Sequence, residues 1–122
     1  MHAMRMAALV ILAATTTSGA RYVSAEPKGE RVTVTGEALD LWCYVEAGDR
    51  GPAKRQCATM CAKAGNPIAL LDAQGNIYLT ASLKSHQSAQ ALLADKMNEE
   101  VTVAGTLVRK NGIQMIYIDT IR

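Results

Sequence analysis

Two five-residue segments, 32–36 (VTVTG) and 101–105 (VTVAG), constrain the fold more than anything else in this chain. Each alternates Val with a small polar or small apolar residue. A period of two with β-branched residues is the signature of a half-buried strand. Each segment then ends in glycine, Gly36 and Gly105. A glycine inside a strand marks a bulge or a bend. Two bent strands of matching pattern suit neighbours in a small closed barrel.

The intervening chain supplies the remaining elements. The first strand is expected over 31–41, followed by a loop over 43–51 (CYVEAGDRG). Gly51-Pro52 places proline at the first helical position, which starts a helix over 53–64. Gly65 stops it, and Pro67 confirms the stop. Short apolar runs at 68–71 and 77–80 flank the turn residues 72–76, reading as a hairpin. Ser82 or Ser85 caps a second helix over 86–97, with Ala89, Leu92, Leu93 and Met97 as its apolar face. Strands at 100–109 and 113–121 are joined by Asn111-Gly112, the strongest short hairpin signal.

With the first helix set aside, the order is strand, hairpin, helix, hairpin. That is the order of the OB-fold, a five-stranded Greek-key barrel. The expectation is a mainly β (α+β) OB-like barrel with two helices, spanning 26–122. The cysteine-bearing helix, at about 52–65, would be an insertion. The alternative is an open α+β sheet with both helices on one side.

Residues 1–25 read as a cleaved signal peptide. Arg5 gives the basic start, 7–14 (AALVILAA) the apolar run, and small and hydroxylated residues follow. The run is too short for a span, which needs about 20 apolar residues. Small residues place the cut after Ala20 or after Ala25, the latter because Glu26-Pro27 opens a polar segment. The expected location is periplasmic or secreted, with no membrane span after cleavage.

Beyond residue 25 the chain has eleven basic and eleven acidic residues, a formal charge of zero. No basic footprint for nucleic acid remains. The core must be aliphatic, because the chain has no Phe and one Trp.

Three cysteines carry the chemistry: Cys43, Cys57 and Cys61, spaced C-x13-C-x3-C. Cys57 and Cys61 lie one helical turn apart, so their sulfurs project side by side. Cys43, at the end of the first strand, could fold back onto them. One reading is a disulfide from Cys43 to Cys57 or Cys61, a staple worth about 2–4 kcal/mol in a small exported domain. It leaves one thiol over. A second reading uses all three in a soft-metal site. Three thiolates can hold copper(I), with Met60 or His86 as a fourth ligand. Cys3His would suit zinc(II). The third reading is thiol redox chemistry, with Lys54, Arg55 and Lys63 lowering a thiol pKa. The C-x2-C pair at a helix start that such proteins use is absent.

Trp42 and Tyr44 flank Cys43 and could line a small pocket. Met60, Met97 and Met115 are thioether candidates, though Met on an apolar face usually packs. Asp40 and Asp49 read as turn or cap residues. No covalent haem motif, nucleotide loop, paired-carboxylate signature or Ser–His–Asp order is present. An enzyme is therefore not the expected class.

The combination DLWCY at 40–44, then CATMCAKAGNPIALL at 57–71, resembles a group of small, uncharacterised exported bacterial proteins. These are OB-like domains with Asp-x-x-Cys-Tyr before a Cys-x3-Cys helix and a Gly-x-Pro turn. The resemblance implies export, the bacterial periplasm and the barrel. It implies no activity. The expected function is the binding of a thiophilic metal, copper before zinc. The rival is a disulfide-stapled module that holds a periplasmic protein partner.

Overall fold

The computed structural model describes residues 26–122. The expected signal peptide and both cleavage points lie outside the described residues. The strands are β1 (Glu30–Asp40), β2 (Ile68–Asp72), β3 (Ile77–Ser82), β4 (Glu100–Lys110) and β5 (Ile113–Ile121). They close into a barrel in the order β1-β2-β3-β5-β4. This is the OB-like barrel, and the open sheet is set aside.

Closure depends on β1, which serves two partners in turn. Its first part pairs with β4 and its second with β2, both antiparallel. Gly36 is the junction, opposite Asp72 on one side and Val101 on the other. A Cβ there would lie 2.7 Å from the Leu71 carbonyl oxygen. Glycine lets the two strands close on β1 at the same residue. Gly105 marks an irregularity: the β4–β5 register shifts between Ala104 and Gly105. A Cβ there would collide with the Tyr117 carbonyl oxygen. The final seam, β3 to β5, is parallel.

The core is aliphatic apart from Tyr78. Leu70, Leu93, Met97, Val103 and Ile116 are buried at its centre. Met97 is thus a core residue. The hairpin turn forms as expected, with Asn111 at φ 50° and Gly112 at φ 82°.

Among the described residues there are three α-helices, not two: α1 (Leu41–Ala47), α2 (Arg55–Lys63) and α3 (Ala89–Leu93). The unexpected one, α1, occupies most of the segment expected to be a loop. It is short, opened by Asp40 and ended by Gly48 at φ 70°. Its few residues leave no long periodic pattern to read. The first strand consequently ends at Asp40. A 3-10 turn, Pro52–Lys54, leads into α2, so the inserted helix is where the sequence places it. The second expected helix is shorter than 86–97. Its cap is Ser88, whose hydroxyl accepts from the Ala91 amide, and a 3-10 turn follows over Ala94–Lys96. His86 sits in the preceding loop at φ 63°.

Candidate metal centre

The site is built where the end of β1, α1 and α2 meet. Asp40 is the hinge. It is buried, and its carboxylate accepts a hydrogen bond from the Trp42 amide at 3.2 Å, capping α1. Asp at an N-cap satisfies an otherwise unpaired helix-end N–H. The Asn66 side-chain amide donates to both Asp40 oxygens at 3.3 and 3.4 Å. The Asn66 backbone N–H in turn donates to the Cys61 carbonyl at 3.1 Å. One asparagine thus ties the start of α1 to the end of α2. The Leu41 amide adds a 3.0 Å bond to the Pro67 carbonyl.

The start of α2 is held from the other side. The Gly51 amide donates to Glu37 Oε1 at 2.6 Å, and its carbonyl accepts from Asn98 Nδ2 at 3.0 Å. Arg50 pairs with the same Glu37 carboxylate at 2.7 Å. Ala58 and Ala62 form the buried face of α2, against the main core with Ala38. Small residues let the helix approach the barrel closely. The adjoining face, about 100° round the helix, carries Cys57 and Cys61.

These constraints bring all three sulfurs together. The Cys43, Cys57 and Cys61 Sγ atoms lie within 4.8 Å of one another. Cys57 is exposed, and Cys43 and Cys61 are half-buried. All three are free thiols, so the disulfide of the rival reading is not formed. A zinc–thiolate bond of about 2.3 Å places sulfurs of a tetrahedral shell about 3.8 Å apart. The observed span is close to that, so three ligands can converge on one ion with small movements. Three thiolates are a soft donor set that selects copper(I) or zinc(II) over hard cations.

The electrostatics of the centre are set by Asp40. Hydrogen bonding between its carboxylate and the Cys43 thiol, with burial adding to it, pushes the Cys43 pKa up to about 12. Burial, followed by the Asp40 charge, also raises Cys61. A helix N-terminus alone would favour the thiolate. Here the capping carboxylate outweighs it. Lys54 brings positive charge nearby. Its pKa is raised first by hydrogen bonding to Asp49, its ion-pair partner at 3.0 Å, and in smaller part by Cys57 and Cys43. Asp49 therefore serves an ion pair, and Asp40 is the cap that its position suggested.

Several expected site residues lie elsewhere. His86 is not in the sulfur group. It lines a separate groove with Pro67, Ile68 and Met115, because the helix it was to open starts three residues later. Met60 is on α2 and 66% exposed. Trp42 and Tyr44 have different surroundings. Trp42 is 60% exposed and lines a shallow apolar groove with Leu41, Val45 and Pro67. Tyr44 instead packs on the outer cluster of Leu39, Ala69 and Leu71. Their α1 positions turn them to different sides. In a loop they could have converged.

Asn98 is the residue that sequence reasoning missed. It is buried at φ 54°, and it lines a small void with Asp40, Cys43, Lys54 and Cys57. Its Oδ1 has no hydrogen-bond partner among the described residues. An asparagine before a strand carries no signal for such a role.

No protein-family model, curated protein or solved structure matches the chain.

Proposed function

We propose that this protein is a small exported binding protein that holds a thiophilic metal ion at Cys43, Cys57 and Cys61, copper(I) before zinc(II). The observation that carries the reading is the convergence of three free thiols within 4.8 Å. Copper leads because the donor set stops at three. Zinc(II) in a closed site takes four protein ligands. His86, the candidate fourth ligand for zinc, does not join the sulfur group. Copper(I) is content with three sulfurs. The exposed Cys57 gives the ion a way in and out, which suits storage, delivery or sensing.

The test is anaerobic titration of the fully reduced protein with copper(I) and, separately, with zinc(II). Elemental analysis and a thiol count follow on the same samples. The expected result is one copper(I) per chain, protection of all three thiols from alkylation, and weaker retention of zinc. Stoichiometric zinc with no copper retention overturns the ranking. Retention of neither ion overturns the function.

A further inference from the structure

We propose that the same centre captures trivalent arsenic, supplied as arsenous acid, through three As–S bonds. The inference rests on the convergence of sulfurs that carries the metal reading, and extends it to a different class of ligand. Three observations lead there.

The first is coordination number. Among the described residues, the group of side chains that can ligate one centre is Cys43, Cys57 and Cys61, with no His or carboxylate in it. Arsenic(III) makes three bonds and keeps a lone pair, so three sulfurs complete it.

The second is charge. A copper(I) tris-thiolate carries two net negative charges, a zinc(II) tris-thiolate one, and an arsenic(III) tris-thiolate none. Beside the sulfurs lies the Asp40 carboxylate, which is buried and hydrogen-bonded to neutral groups, the Trp42 amide and the Asn66 side chain. The nearby cation, Lys54, is already paired with Asp49. Uncompensated charge in a partly desolvated site is costly. A neutral product fits this setting better than an anionic one.

The third is access. Cys57 is exposed on α2 and the other two sulfurs lie behind it, half-buried. A small neutral acid can attach at Cys57 and then engage Cys61 and Cys43. In each step a sulfur replaces a hydroxyl on arsenic. One As–S bond forms, one As–O bond breaks, and the thiol proton leaves with the hydroxyl as water. Three steps release three waters, and no electrons are transferred.

The test uses the reduced chain, titrated anaerobically with arsenite and analysed by native mass spectrometry. Copper(I) is titrated in parallel. The expected product gains one arsenic atom and loses three hydrogens, and no free thiol remains. Each single variant, Cys43→Ser, Cys57→Ser and Cys61→Ser, should lose arsenite affinity by about tenfold or more. Each should still take up phenylarsine oxide, which needs two thiols. That retention shows the remaining pair is still in place. Full arsenite affinity in any single variant overturns the proposal. Copper(I) binding without arsenite binding also overturns it and leaves the metal reading standing. Failure of both ligands overturns the two together.

Discussion

Asp40 and Cys43 stand at the N-cap and third position of α1, and the carboxylate that closes the helix end also holds the Cys43 pKa up at about 12. A cap is normally a local matter of one unpaired N–H. Here it also fixes the protonation of a candidate ligand. A thiol kept protonated is a poor nucleophile. That separates Cys43 from the low-pKa cysteines of thiol redox proteins and suits a site that waits for an ion to displace its protons.

Asp40→Asn should release the Cys43 thiol. Asn caps about as well as Asp, so stability should change by less than about 1 kcal/mol. With the charge gone, the Cys43 pKa falls towards its ordinary value. Alkylation of Cys43 by iodoacetamide near pH 9, mapped by mass spectrometry, should then speed up about tenfold or more. An unchanged rate would show that Asp40 does not hold the proton.

The metal-free protein should lose stability in alkali. Cys43 and Cys61 have folded-state pKa values raised above the ordinary thiol value of 9.0. The folded state therefore holds these protons more tightly than the unfolded chain. Their contribution is fully present below about pH 9 and is lost as the pH rises towards about 12. Urea unfolding under reducing conditions should show a falling midpoint across that window, and a shallower fall in Asp40→Asn. A flat midpoint in the parent chain would contradict the shifts.

Copper(I) binding should strengthen with pH. The ion must displace protons from the raised thiols of Cys43 and Cys61. Forming a tris-thiolate from three thiols displaces three protons, so the apparent affinity rises about a thousandfold per pH unit. Competition against a colorimetric chelator at about pH 6.5 and about pH 7.5 reads the slope. A slope near zero would mean that the ion is not held by thiols that lose their protons on binding.

Two glycines should be intolerant of alanine for a different reason from a third. At Gly36 and Gly105 a Cβ meets the carbonyls of Leu71 and Tyr117. Gly36→Ala and Gly105→Ala should each cost more than about 2 kcal/mol by denaturant unfolding. Gly48 faces open space but holds φ 70°. Gly48→Ala should cost only about 1 kcal/mol, the left-handed penalty. Equal costs at all three positions would contradict the close approach at the two barrel glycines.

The barrel was legible because its signals are local and repeated. The alternation at Val32 and Val34, its counterpart at Val101 and Val103, and the turn at Asn111-Gly112 each report on their own backbone. Gly36 and Gly105 read as bends; Gly36 is where β1 takes on β2 as well as β4, and Gly105 borders a shift in register. The convergence of Cys43 with Cys57 and Cys61 was legible in part, from helical spacing and the return of the chain. The surroundings of that cluster were not. A seven-residue helix leaves little periodicity, so α1 read as a loop and Trp42 and Tyr44 were put on the same side. The bonds from Asn66 to Asp40 and from Asn98 to Gly51 join distant segments by single contacts, which no sequence pattern announces.

The placement of the cysteines also bears on the order of assembly. All three sulfurs belong to the stretch from Cys43 to Cys61, whereas sealing β1 against β4 requires Val32 to find Gly105. Joining nearby segments loses less chain freedom than joining remote ones. A thiophilic ion can therefore gather its ligands on a chain whose last strands have yet to dock, and in doing so hold α1 to α2 while the longer search is completed.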